Sequence, residues 1–226
     1  MNLDHEKKLA GEAAAELVED GMTVGLGTGS TAAYAVRRLG ERVRAGLHVR
    51  GLPTSTHTEA LAREVGIPLV DFAEVTRLDL TLDGADEIDP DLNLIKGGGG
   101  ALFREKIVAA ASRRLIIFAD HTKLVPQLGA FPLPVEVNPF GWQVAAERIA
   151  ALGAHVTLRQ SGEGPFVSDN HGYILDCFFG KIDDPVALER HLAAVTGVME
   201  SGLFVRMAER ALLGDGQAVR TIQPAP

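Results

Sequence analysis

The sequence predicts an α/β protein, with a mostly parallel, doubly wound (Rossmann-like) sheet joined to a second, smaller ferredoxin-like α+β domain. Three observations predict it. Through the first half, apolar segments of strand length alternate with segments of helical period, the pattern of a parallel sheet covered by helices on both faces. Two glycine-rich turns lead directly into helices, over 25–29 and 97–100. After Phe131 the rhythm changes to strand, helix, strand, strand, helix, strand, which is the ferredoxin-like order. The expected division is an α/β domain from 1–130 plus 206–226 and a small α+β domain over 131–205.

In chain order, the first helix is expected over 6–18, where small and apolar residues recur at helical spacing. A strand follows over 22–26, then a helix from Ser30, a strand over 48–52, a helix over 56–65 and a strand over 67–70. Leu78-Asp79-Leu80-Thr81-Leu82 alternates like a strand and ends against carboxylates. A helix over 101–111 is rich in strong helix formers, and a strand covers 115–118. The second half gives strands over 133–137, 155–158, 173–179 and 198–205, helices over 142–152 and 185–194, and an exposed hairpin loop over 160–165. The tail, 207–222, offers a short helix and a last strand over 219–222 that rejoins the first sheet.

Composition limits the partners. The 226 residues carry a net charge of -8, which argues against nucleic acid or an anionic membrane as the main partner. No apolar run reaches membrane-spanning length, and the first helix is too charged for a secretory signal, so a cytoplasmic location is expected. The single cysteine, Cys177, sits in an apolar strand and reads as a core thiol. Seven histidines are scattered without metal-ligand spacing, and only His121 lies beside the candidate site.

The candidate site is the stretch from Asp83 to Glu105. Asp83-Gly84-Ala85-Asp86-Glu87 sits at a strand's carboxyl end, the edge where ligands collect in open α/β sheets. Lys96 then precedes four glycines, Gly97 to Gly100, whose ordering costs backbone entropy and which allow amides to approach a ligand closely. They lead into a helix whose N-terminus faces the same crevice. Glu105 shares its stripe with Ala101, Val108 and Ser112, so partial burial is expected, and desolvation would raise its pKa toward that of a base useful at neutral pH. A second turn, Gly27-Thr28-Gly29-Ser30-Thr31, lies between a strand and a helix and forms a phosphate cradle, with the Thr28, Ser30 and Thr31 hydroxyls as donors. It lacks the third glycine of a dinucleotide fingerprint and the Gly-Lys pair of a P-loop.

These motifs resemble the type A ribose-5-phosphate isomerases. The resemblance rests on Gly25-Leu26-Gly27-Thr28-Gly29-Ser30-Thr31, on Asp83-Gly84-Ala85-Asp86-Glu87-Ile88, on Lys96-Gly97-Gly98-Gly99 with Arg104-Glu105-Lys106, and on Phe131-Pro132-Leu133-Pro134-Val135-Glu136-Val137. Ser168-Asp169-Asn170 and Gly214-Asp215-Gly216 extend it over essentially the whole chain. The departure is Gly100, where alanine is expected and where glycine should loosen the loop slightly.

The resemblance implies metal-independent, cofactor-free interconversion of D-ribose 5-phosphate and D-ribulose 5-phosphate, a pentose phosphate pathway step run through a cis-enediolate. It makes Glu105 the general base, with Asp83 assisting ring opening and moving hydroxyl protons, and Asp86 orienting substrate hydroxyls within Asp83-Gly84-Ala85-Asp86. Lys96 and the amides of Gly97, Gly98 and Gly99 would stabilise the enediolate oxygen. Thr28, Gly29, Ser30 and Thr31 would bind substrate, Lys123 would contact it, and Lys7 would be a second phosphate partner. The family forms homodimers and homotetramers, and the apolar Gly202-Leu203-Phe204-Val205 would serve an interface or a core.

Rival readings remain at this stage. One is another enzyme of related architecture, an amino-sugar-phosphate deaminase or a CoA transferase. Another is a non-catalytic sugar-phosphate sensor, which would need a DNA-binding element and a basic patch. In a third, Asp83, Asp86 and Glu87 hold a divalent metal such as Mg²⁺.

Overall fold

The structure, a computed structural model, describes residues 2–224. The chain runs α1 (Leu3–Ala15), β1 (Thr23–Leu26), α2 (Ser30–Arg44), β2 (Arg50–Pro53), α3 (Thr56–Glu64), β3 (Leu80–Asp83), β4 (Glu87–Ile88), β5 (Leu94–Ile95) and α4 (Leu102–Ala110). It continues with β6 (Leu115–Asp120), a 3₁₀ turn (His121–Lys123), β7 (Leu133–Val137), α5 (Trp142–Ala150), β8 (His155–Leu158) and a small hairpin, β9 (Gln160–Ser161) with β10 (Gly164–Pro165). Then come β11 (Tyr173–Phe178), α6 (Pro185–Ala193), β12 (Val198–Ser201), β13 (Leu203–Phe204), β14 (Arg210–Asp215) and β15 (Ala218–Ile222).

The central sheet has six strands in the order β15-β14-β6-β3-β1-β2, parallel throughout except for the β14–β15 hairpin. Both faces are covered. Ile116 and Phe118 of β6 pack in one cluster with α1 and α2, while Leu115, Ile117 and Ala119 of the same strand pack in another with Leu94, Ala109 and Phe204. Successive side chains on a strand point to opposite faces, so alternate residues feed the two layers. From β1 the chain crosses to β2 on one side and reaches β3 on the other, so the sheet changes direction between the carboxyl ends of β1 and β3. A crevice opens at such a switch point.

A four-stranded antiparallel sheet, ordered β12-β7-β11-β8, has the arrangement of the ferredoxin-like motif. Its core includes Val135, Val137, Leu175 and Cys177, packed with Ala145, Ile149 and Leu192 from α5 and α6. Cys177 is fully buried, and desolvation pushes its thiol up to about 12, which makes it an inert core residue.

Four expectations are corrected. The first helix begins at Leu3, because the Asn2 side chain accepts the amides of Asp4 and His5 and so caps it earlier than the apolar period indicates, and it ends at Ala15, short of Val18. The 67–70 segment makes only a bridge, Gly51 with Leu69, since Pro68 has no amide to continue a ladder. The tail carries no helix over 207–215: β14 is a buried run between β6 and β15, and such a run reads equally as helix or strand. The predicted single strand over 198–205 breaks at Gly202 into β12 and β13. Its amide donates to Pro134 O at 2.7 Å and its carbonyl accepts from the Lys96 amide at 2.9 Å. Leu203 and Phe204 are completely buried, so this segment is core.

Candidate active site

Strand β3 delivers Asp83 to the switch point, where it is 1 % exposed. One carboxylate oxygen accepts the amides of Gly84 (2.8 Å) and Thr28 (3.2 Å), and the other lies 2.9 Å from Lys96 Nζ. The turn after β1 is therefore tied to the end of β3. Contact here is close enough that a Cβ on Gly27 would lie 2.2 Å from the Asp83 carboxylate, so only glycine fits at that position.

Lys96 follows β5 and is 2 % exposed. Its ammonium donates to Gly84 O at 2.6 Å and to Asp83, and it lies 3.3 Å from Glu105 Oε2. Burial acts to lower its pKa, but the charges of Asp83 and Glu105 outweigh burial and hold it above the ordinary lysine value. The amine stays charged. The Phe204 ring, 5.3 Å from Nζ, covers it from below the site with a favourable π face.

Glu105 lies in the first turn of α4 and is 4 % exposed, deeper than the partial burial expected from its helical stripe. Although Lys96 is near, Oε2 has no aligned hydrogen-bond donor. Desolvation first, and the charge of Asp83 second, push this carboxyl up to about 8, with Lys96 opposing. Burial raises Asp83 as well. Of the two, Asp83 carries three donors and Glu105 one loosely aligned contact, so Asp83 ionises first.

The glycine turn is anchored on both sides. Asp86 Oδ2 accepts the Gly98 amide at 2.7 Å, while the carbonyls of Gly97 and Gly98 each accept from Arg159 at 3.0 Å. Gly100 has φ +79°, and a Cβ there would meet the Phe166 ring at 2.4 Å. The contacts run against the expected loosening: glycine is what lets this loop pack against Phe166 as it stands, and an alanine would strain the positive φ and push the ring aside.

Two helix N-termini open on the site without side-chain caps, α2 at Gly29 and α4 at Ala101. An uncapped first turn presents amides and a positive dipole end to an anion. Ser30 and Thr31 line the cleft there, as do Lys7 from α1 and Lys123 from the 3₁₀ turn. The two lysines are indirectly linked, because His121 Nδ1 and the buried Glu6 Oε2 meet at 2.6 Å beside them. Hydrogen bonding to Glu6 raises the pKa of His121 and the same bond lowers that of Glu6. The cleft has a volume of about 140 Å³ and brings together every predicted residue except Asp83, which lies just beneath its floor.

Two details differ from the sequence reading. The Thr28 hydroxyl is engaged by Thr54 (2.7 Å), Ser55 (2.8 Å) and Thr58 (3.2 Å), so it braces the turn rather than serving as a free donor. Glu87 turns away: its carboxylate accepts the amides of Gly129 and Phe131 at 2.7 and 2.6 Å. Asp83, Asp86 and Glu87 therefore do not converge on a common point, and the metal reading has no ligand set there. Among the described residues the one clustered trio of metal-ligating type is Glu6, His121 and Asp215, already joined by the His121–Glu6 contact.

Sequence reasoning missed Arg159 and the Arg104 anchor. Arg104 Nε donates to Asn170 Oδ1 and Nη2 to Asp169 O, both at 2.9 Å, while the Asp169 carboxylate accepts the Thr56 amide at 2.7 Å. These bonds tie α3, α4 and the loop before β11 around the residue next to Glu105. The signal available was Ser168-Asp169-Asn170 itself, a polar turn inside an apolar segment.

A family described as ribose 5-phosphate isomerase A (phosphoriboisomerase A) matches residues 50–218. A protein of Gloeobacter violaceus named ribose-5-phosphate isomerase A is 56 % identical over 227 residues, covering 100 % of this chain and 99 % of its own. One of Bacillus mycoides with the same name is 51 % identical over 97 % of this chain and 99 % of its own. A solved D-ribose-5-phosphate isomerase in complex with phospho-erythronic acid superposes with a TM-score of 0.96 at 39 % identity, covering 99 % of this chain and 100 % of that one. The ribose 5-phosphate isomerase of Plasmodium falciparum gives 0.95 at 38 % identity, with the same coverage. With its sequence matched from end to end and its fold superposed at that level, the chain belongs to the ribose 5-phosphate isomerase A family.

Proposed function

We propose that the protein interconverts D-ribose 5-phosphate and D-ribulose 5-phosphate through a cis-enediolate. The observation that carries this is the buried Glu105–Lys96–Asp83 cluster at the floor of a cleft rimmed by two uncapped helix N-termini.

Moving the carbonyl from C1 to C2 requires a base to take the proton from C2 and return one to C1. Glu105 is the base, with a pKa raised to about 8 and one carboxylate oxygen unpartnered. Charge that develops on the enediolate oxygens is met by the Lys96 ammonium and the glycine-loop amides. Asp83 moves the proton between the O1 and O2 hydroxyls and assists ring opening, and Asp86 orients substrate hydroxyls. The phosphate is held at the α2 N-terminus by the Gly29, Ser30 and Thr31 amides and hydroxyls, with Lys7 and Lys123 supplying charge. Thr28 acts here through its backbone. The phospho-erythronic acid in the solved relative is consistent with such a site, since its phosphate and terminal acid mimic the two charged ends of the enediolate.

A cytosolic homodimer or homotetramer acting on a small-molecule sugar phosphate fits this reading. No described helix is long and apolar enough to cross a membrane. The test is formation of ribulose 5-phosphate from ribose 5-phosphate by the purified protein in excess EDTA. Turnover is expected; its absence under EDTA with recovery on adding Mg²⁺ would restore a metal mechanism, and absence under both conditions would overturn the isomerase.

A further inference from the structure

Arg159 lies at the end of β8, outside the cleft, yet its guanidinium reaches the glycine loop. Nη1 donates to Gly97 O and Gly98 O, each at 3.0 Å. The opposite edge forks onto Asp176 of β11, Nε to Oδ2 at 3.0 Å and Nη2 to Oδ1 at 2.5 Å. Phe166 places its ring 5.8 Å from the guanidinium carbon, and the same ring packs against Gly100.

A trans peptide is planar, with its N–H opposed to its C=O, and no described peptide is cis. A carbonyl captured on one side therefore directs the next residue's amide to the other side. With Gly97 O on Arg159, the Gly98 amide points the opposite way and meets Asp86, a cleft residue, at 2.7 Å. With Gly98 O on the same nitrogen, the Gly99 amide points the same way. It donates to no protein group among the described residues. Four glycines would otherwise leave these planes free to rotate.

We propose that Arg159 is a positioning residue for the isomerisation: by holding the Gly97 and Gly98 carbonyls, it aims the Gly98 amide onto Asp86 and the Gly99 amide into the cleft, with Asp176 and Phe166 fixing its guanidinium. The loop is then preformed before substrate arrives, and turnover depends on a residue just past β8, outside the cleft, that touches no substrate. This rests on the proposed function, in which the Gly99 amide faces the enediolate and Asp86 orients substrate hydroxyls.

The test uses Arg159→Lys, Arg159→Ala and Asp176→Asn. Lysine carries a point charge without the planar fork, so it cannot hold two carbonyls and a bidentate carboxylate together. The expected result is a kcat lower by about 10- to 100-fold, the scale of misaligned catalytic groups. The inhibition constant for phospho-erythronic acid should rise in parallel, while that for inorganic phosphate changes less than about twofold. Amide hydrogen exchange at Gly98 and Gly99 should accelerate in the same variants. Asp176→Asn, which keeps the shape and leaves Arg159 in place, should give a smaller effect in the same direction. Unchanged kcat, or unchanged exchange at these glycines, would overturn the proposal. So would a kcat loss matched by equal weakening of inorganic phosphate, because that pattern marks general disruption. Wild-type turnover is read first and exchange does not require turnover, so failure of the isomerase and failure of the Arg159 role give different results.

Discussion

Glu105 and Lys96 meet at 3.3 Å, but the ammonium lies closer to Asp83, at 2.9 Å, and directs its aligned hydrogen bond to the Gly84 carbonyl. The glutamate is thus close enough to feel the positive charge and yet keeps an unpartnered oxygen. This suits a base that must accept a carbon-bound proton, because the lone pairs of that oxygen are not already committed to a donor. Glu105→Gln preserves shape and removes basicity. Its kcat should fall by about 10²- to 10⁴-fold with KM changed little, read by steady-state conversion of ribose 5-phosphate.

Asp83 sets where that base titrates. Its charge is the second cause, after desolvation, of the rise in Glu105 to about 8. The rate should therefore climb with pH through an acid limb near 8, as Glu105 and its coupled neighbour lose their protons. In Asp83→Asn the negative neighbour is gone and Lys96 has only Glu105 to pair with among the two, so the limb should move to lower pH even as the maximum rate falls. A limb left in place in kcat/KM profiles of the variant would separate the two carboxyls.

At the other end of the cleft, Ser30 and Thr31 stand on the uncapped first turn of α2. Groups that hold a non-reacting phosphate bind substrate and transition state about equally. Ser30→Ala and Thr31→Ala should raise KM more than they lower kcat, and they should weaken inorganic phosphate as an inhibitor by a similar factor.

Much of this was legible because the site is built from short contiguous motifs. The 25–31 turn, Asp83 to Asp86 and Lys96 to Glu105 each carry their own punctuation, and strand alternation places them at one sheet edge. What escaped was contact across the fold. Glu87 has the same chemistry as Asp86 one residue away, but the pleat sends it to the other face, where the Gly129 and Phe131 amides take it. Arg159 and Asp176 are 17 residues apart and come together through the β8–β11 pairing, so no local spacing marks them. The break at Gly202 is hidden for the same reason, since the crowding against Lys96 O comes from a strand more than a hundred residues earlier.

Gly100 shows how a tertiary contact reverses a local expectation. Its positive φ and the Phe166 ring at 2.4 Å from a Cβ both disfavour a side chain. Gly100→Ala should destabilise the protein by about 1–3 kcal/mol, the usual cost of overpacking. Adding Phe166→Leu should recover part of that loss, leaving the left-handed backbone cost of about 1–2 kcal/mol. A double-mutant cycle by thermal or denaturant unfolding reads the coupling, and simple additivity would show that the ring is not the obstacle.

The buried base also has a cost in stability, with a definite sign. Inside the fold Glu105 titrates at about 8, above its ordinary 4.5. A raised value means that the folded state holds the proton more tightly than the unfolded chain does. The stabilising contribution is complete below about 4.5 and is lost as pH rises from there through 8. Glu105→Gln cannot ionise, so its melting temperature should match or slightly trail that of the wild type near pH 5 and exceed it above pH 8. Melting curves of both proteins from pH 5 to 9 read the difference, and each kcal/mol amounts to about 2–4 °C for a chain of this size. If the two curves instead ran parallel across that range, Glu105 would be ionised at neutral pH in the folded protein, and Asp83 would be the carboxyl that keeps the shared proton.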